Sequence, residues 1–254
     1  MTSYIRKHTI FPEEFPEPWA SDWGEDEFGL WMAFTYKGVR QAFRWCEPGA
    51  FMMGAPPDEP ERFDNELQHQ VTLTKGFWIA DTTVTQALWE VIAGENPSKF
   101  KGEDRPVENV SWKDAQAFVA KMNGLKAELK LCLPTEAQWE YACRAANTTP
   151  FCWGDQIDST LVNFDGSYPY NNGSPSQDRY GDYPAEPVID PQRPESGDSR
   201  VLRGGSARGG QTGDGLWVLS ALKRPLKGTS KNPNFVTTLC CSQKMFPYIS
   251  HYAA

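Results

Sequence analysis

Residues 133–145 read LPTEAQWEYACRA. Thr135 and Gln138 stand three apart at the head of this stretch. That is the spacing of a capping box, in which the Thr hydroxyl accepts an orphan helix N–H and the Gln side chain reaches back to the entering chain. The residues that follow place Trp139, Ala142, Cys143 and Ala146 on one face of a helix. An apolar helix face needs a second layer to cover it, so the rest of the sequence must supply a sheet or further helices.

Two more helix starts lie upstream. Thr83 and Gln86 have the same spacing and open a stretch with Ala87, Leu88, Val91 and Ile92 on one face, stopped by Gly94. Ser111 and Asp114 repeat the device ahead of Ala115, Phe118, Val119 and Met122, with Gly124 as the stop. Before these helices, residues 29–54 alternate apolar and polar positions between Gly and Pro turns, which predicts a hairpin followed by a third strand. Residues 56–68 are an acidic loop, and alternation returns at Val71, Leu73, Phe77 and Ile79. Residues 1–28, rich in Pro, Glu and Trp, read as an extended N-terminal arm.

Downstream of residue 150 regular structure is hard to find. Residues 155–199 are crowded with Asp, Asn, Gly, Ser, Pro and Tyr, and loops this long are either functional or held by something such as an ion. Asp155, Asp158, Asn163 and Asp165 are oxygen donors of the kind a calcium ion takes, without the spacing of an EF-hand. Residues 200–206, RVLRGGS, look like a strand entering a tight turn; its glycines suit close backbone packing better than an anion cradle.

Composition excludes several functions. The 254 residues are 39% hydrophobic with ten tryptophans, enough for a sizeable core. A net charge of −8 suits neither the phosphates of nucleic acid nor an anionic membrane surface. No apolar run approaches the roughly 18–20 residues that span a bilayer. The first residues lack the apolar core of a signal peptide, so the expected compartment is the cytoplasm. There, the six cysteines read as small buried hydrophobes, and the adjacent Cys240 and Cys241 are poor partners for each other. The three histidines are far apart, and His69 reads as a surface or hydrogen-bonded residue and not a catalyst. Most tryptophans read as packing residues.

Taken in order, FMMG (51–54), HQVTLTKGFWIADTTVTQALW (69–89), RPVENVSWKDAQAF (105–118), LPTEAQWEYACRA (133–145) and RVLRGGS (200–206) resemble the formylglycine-generating enzyme family, the sulfatase-modifying factor domain. The resemblance covers residues 29–165 well and 178–206 in part. It implies an α+β fold of the C-type-lectin-like, formylglycine-generating-enzyme type, loop-rich, with residues 29–206 as the domain. Members of the family include oxidases that convert a sulfatase cysteine to formylglycine with copper held by two cysteines. Others make sulfur–carbon bonds with iron-binding histidines. Some use the fold to bind ligands, among them the variable proteins of diversity-generating retroelements.

The chain departs from the family pattern at two places. The segment that resembles N-x-x-G-L-x-x-M-x-G-N-V-W-E-W in the family is missing between Asn163 and RGGS, so the domain is shortened near 165–180. After Ser206 the family continues with an aromatic residue and closes on G-F-R; here Ala207 follows, no G-F-R occurs, and residues 207–254 form a divergent tail. The resemblance therefore implies a C-terminal core short of its usual pieces. The family's copper cysteines have no counterpart, which argues against copper. Of its calcium ligands, Asn163 and Phe164 match, giving a partial calcium site and no catalytic residue. The expected function is a non-catalytic, degenerate domain that binds an unidentified ligand or protein through its C-terminal half. Arg208, Trp217 and Arg224 are the binding residues to test, because Arg and aromatic side chains dominate hot spots. The alternatives are a sulfatase-modifying oxidase and a diversified variable protein.

Overall fold

The computed structural model describes residues 10–59, 62, 66–150, 188–189 and 240–245. Nine strands, three α-helices and one 3-10 turn (Ala127–Leu129) make up the described elements. The strands are β1 (Asp22–Asp26), β2 (Gly29–Tyr36), β3 (Val39–Cys46), β4 (Gly49–Met53), β5 (His69–Leu73), β6 (Phe77–Ala80), β7 (Leu131–Cys132), β8 (Val188–Ile189) and β9 (Cys240–Met245). The helices are α1 (Gln86–Ala93), α2 (Trp112–Leu125) and α3 (Glu136–Arg144).

The expected hairpin and third strand are present as β2, β3 and β4. Lys37 and Gly38 join β2 to β3 with φ of 47° and 83°, the left-handed pair that a two-residue hairpin turn demands. The larger sheet has six strands in the order β1-β2-β3-β6-β9-β7, and the smaller has the order β4-β5-β8 with β8 parallel to β5. Trp45 lies opposite Trp78 across β3 and β6, with ring centroids 5.5 Å apart. Around this pair sit Trp19, Met32, Phe43, Phe77, Leu88, Phe118 and Met122, all buried. Trp89 of α1 stacks flat on Phe118 of α2 at 4.8 Å, which seals the helix layer. Most tryptophans of the described body are packing residues, as expected, although Trp23 is exposed.

The arm is partly a structural element. Trp19 is buried in the core, Phe15 stacks on Trp78 at 5.9 Å, and residues 22–26 form edge strand β1. The acidic residues of β1 cross β2 to meet the arginines of β3: Arg40 binds Asp22 at 2.9 Å and Arg44 binds Asp26 at 2.6 Å. Burial pushes the Asp26 carboxyl up, but its hydrogen bonds to Arg44 and the Phe28 N–H outweigh this and hold it below its usual value. These charges also blunt an open sheet edge. The divergent tail, for its part, supplies β9, an interior strand between β6 and β7.

Two helix boundaries differ from the sequence reading. The cap of α1 is Thr85 and not Thr83: its hydroxyl accepts the Leu88 N–H at 3.2 Å, and Gln86 becomes the first helical residue. The buried face of α1 is accordingly Gln86, Leu88 and Trp89, with Gly94 closing it at φ 94° as expected. In α2 the Ser111–Asp114 box and the buried stripe are as predicted, but the helix runs through Gly124 to Leu125. The Thr135–Gln138 box of α3 is also present; Ala146, however, lies exposed beyond the helix end, and Glu140 and Arg144 are buried instead.

Candidate functional site

The residues singled out from sequence for binding lie outside the described residues: Asn163, Phe164, Arg208, Trp217 and Arg224. What the structure defines is the platform between which they are strung. Val188 and Ile189 of β8 lie opposite Val71 and Thr72 of β5. In β9, Met245 and Cys240 lie opposite Phe77 and Ile79 of β6, and Cys241 and Cys240 lie opposite Leu131 and Cys132 of β7. Asn163 and Phe164 thus fall between α3 and β8. Arg208, Trp217 and Arg224 fall between β8 and β9.

The receiving strands are held from within the body. Asn123 of α2 donates to the Leu131 carbonyl at 2.9 Å and accepts the Leu131 N–H at 2.7 Å, so its amide acts as a strand partner and fixes β7. The turn after β4 is fixed by α3. Glu140 accepts the Gly54 N–H at 3.0 Å and two bonds from Arg144 at 2.8 and 2.6 Å, while Arg144 donates to the Gly54 carbonyl at 2.6 Å. Gly54 has φ 91°, and a Cβ there would sit 2.6 Å from the Leu67 carbonyl oxygen, so only glycine fits. FMMG and LPTEAQWEYACRA, distant in sequence, are thereby one interlocked unit.

A second unit is built on the Gln86 side chain. Its amide donates to the Phe100 and Pro106 carbonyls at 2.9 and 3.1 Å and accepts from the Asn96 side chain and the Gly102 N–H at 3.0 and 3.1 Å. All four of its hydrogen-bonding positions are used. Together with the Ala87 N–H, which donates to the Glu103 carbonyl at 3.0 Å, it ties the long loop from α1 to α2 to the helix. The sequence reading takes Gln86 for a capping partner and makes no assignment for Glu140 or Arg144. The available signal was a Glu and an Arg four apart in a helix otherwise rich in apolar residues.

Several of the potentially reactive groups of the described body are buried. His69 is buried, with Nδ1 3.0 Å from the Leu67 carbonyl; the hydrogen-bonded reading holds and the surface reading does not. Cys46 is fully buried, and burial, with the Glu47 charge behind it, pushes its thiol well above the ordinary value, away from the reactive thiolate. Tyr141 donates to the Glu47 carbonyl at 3.3 Å, and burial together with Cys46 and Glu47 raises its hydroxyl to about 12. Cys143 is buried and Cys132 half-buried. Among the described residues no group of three or more His, Cys, Asp or Glu side chains is placed to hold a metal ion, and no helix is long and apolar enough to cross a membrane.

A sequence model described as the sulfatase-modifying factor enzyme 1-like domain matches residues 39–189, from β3 to β8. The chain belongs to this family. The formylglycine-generating enzyme of Bos taurus is 28% identical to it over 181 residues, covering 58% of this chain and 46% of that protein. The inactive C-alpha-formylglycine-generating enzyme 2 of Mus musculus is 30% identical over 143 residues, covering 48% and 44%. The chain thus spans less than half the length of these two relatives. Among solved structures, Treponema denticola variable protein 1 superposes with a TM-score of 0.62 at 20% identity, covering 83% of this chain and 98% of that one. At that identity the likeness establishes a shared fold. The fold is α+β, loop-rich and of the sulfatase-modifying factor type, as the resemblance implied.

Proposed function

We propose that this sulfatase-modifying factor domain is a non-catalytic member of its family that serves as a scaffold for binding a ligand or protein through the segments between α3, β8 and β9. One observation carries the reading: the motif residues that mark the family are consumed in holding the scaffold. Glu140 Oε1 and Arg144 together hold both the N–H and the carbonyl of Gly54, and the Gln86 side chain spends its four bonds on one loop. Family membership therefore speaks for the fold and leaves the chemistry to other residues. The name of the mouse relative, an inactive enzyme of the same family, supports this.

In this proposal Arg208, Trp217 and Arg224 contact the ligand, and Asn163 with Phe164 contributes to a calcium site on a lectin-like scaffold. The setting is cytoplasmic, in keeping with the fully buried thiol of Cys46, and the acidic chain engages neither nucleic acid nor membrane. The test is to incubate the full chain with a sulfatase-derived cysteine peptide, copper, a thiol reductant and oxygen, and to assay the peptide for aldehyde. No aldehyde above a protein-free control is expected. Repeated turnover would establish the oxidase reading instead. A calcium-dependent rise in melting temperature that Asn163→Ala removes is the expected sign of the metal site; its absence would remove calcium from the proposal.

A further inference from the structure

The register of the larger sheet brings two thiol-bearing residues from opposite ends of the sequence to one position. Cys132 of β7 lies directly opposite Cys240 of β9, and its neighbour Leu131 lies opposite Cys241. Facing residues of an antiparallel pair have Cα atoms about 4.5–5.5 Å apart, within the roughly 4.4–6.8 Å that a disulfide bridges. Cys241 stands opposite Leu131, so only Cys240 shares a register position with Cys132. Adjacency in sequence makes the two tail cysteines poor partners for each other, but it leaves one of them opposite a third.

We propose that Cys132 and Cys240 form a reversible disulfide that fastens the tail strand to the body. The body side is already in place: Asn123 holds the backbone of Leu131 on both its N–H and its carbonyl, and Cys132 is half-buried. Other thiols of the body are less suited. Cys46 is fully buried opposite Phe77, and Cys143 is buried on α3 beside Trp139. The chemistry is thiol–disulfide exchange with glutathione disulfide as the oxidant. The Cys132 thiolate attacks one sulfur, the glutathione S–S bond breaks and one glutathione leaves. The Cys240 thiolate then attacks the Cys132 sulfur of the mixed disulfide and releases the second glutathione. Two protein thiols lose two protons and two electrons, and one glutathione disulfide becomes two glutathione thiols. Closing the pair would fix the C-terminal end of the segment between β8 and β9 to β7. This inference is independent of what that segment binds.

The test uses the full wild-type chain equilibrated in buffers of rising glutathione disulfide to glutathione ratio, quenched with an alkylating agent and mapped by peptide mass spectrometry without reduction. Cys132 and Cys240 are expected to lose alkylation in step, with one shared midpoint, and to appear as a cross-linked peptide, while Cys241 stays alkylated. Cys241→Ser and Cys143→Ser should keep the cross-link, and Cys132→Ser should leave Cys240 alkylated throughout the series. Separate midpoints, a cross-link from Cys240 to Cys46 or Cys143, protection of Cys240 in the Cys132→Ser chain, or both thiols still alkylated in pure glutathione disulfide would each overturn the proposal.

Discussion

The two interlocked units of the body solve the same problem with different chemistry. At α3, a carboxylate and a guanidinium, both almost wholly buried, clamp the backbone of Gly54. At α1, one neutral amide clamps four groups of the loop that follows. Each lets a helix hold a distant stretch of irregular chain in place. They differ in what failure costs. A buried charge left without its partner is penalised far more than an orphaned amide contact. The motifs that identify the family thus divide into one joint that must stay intact and others that tolerate damage.

Substitutions at the two units should rank accordingly. Arg144→Met leaves the buried Glu140 carboxylate without its guanidinium partner and should cost about 3–5 kcal/mol in urea unfolding. That is a large part of the roughly 5–15 kcal/mol a domain possesses. Gln86→Leu keeps the volume but orphans the Phe100 and Pro106 carbonyls and the Gly102 N–H, and should cost about 2–3 kcal/mol. It should also speed hydrogen exchange at Gly102 while leaving Gly54 protected. If Gln86→Leu cost as much as Arg144→Met, the contrast between charged and neutral joints would be broken.

Smaller effects sharpen the picture. Ser111→Ala removes the hydroxyl that accepts the Asp114 N–H and should cost about 1 kcal/mol. The hydrogen bonds from the Ser111 hydroxyl and backbone lower the Asp114 carboxyl below its usual 3.8. Its small contribution is present above that value and fades as pH falls below it, so the variant should lose less on acidification than the wild type. At the alkaline end the sign reverses. Tyr141 titrates near 12 when folded and near 10 when unfolded, so the unfolded state gives up its proton first and stability falls above pH 10. A stability profile of Tyr141→Phe should be flatter between pH 10 and 12, with little change at neutrality.

How much of this could be read in the sequence depended on whether the deciding contact is local. The boxes at Ser111 and Thr135 were legible because a cap is closed by residues three apart. The start of α1 was misread because Thr83 and Gln86 have the same spacing, while the Gln86 amide is spoken for by Phe100, Pro106, Asn96 and Gly102. Strand β1 was hidden because an edge strand carrying Asp22, Glu25 and Asp26 shows no apolar alternation, and its acids answer arginines on β3, a strand it does not pair with. Gly124 failed as a stop because the α2 backbone simply passes through it. Of the candidate site, the sequence named Asn163, Phe164, Arg208, Trp217 and Arg224, while the platform became visible only through strand register. No local pattern announces that β7 and β9, far apart in the chain, share an edge.

The central claim is that the buried Glu140–Arg144 pair is the joint of the scaffold. A thermodynamic cycle tests it most directly: urea unfolding of the wild type, Glu140→Leu, Arg144→Met and the double variant. The account predicts that each single change costs about 3–5 kcal/mol and that the double change costs no more than either single, because neither charge is then left alone. Single variants as stable as the wild type, or losses that simply add, would contradict it.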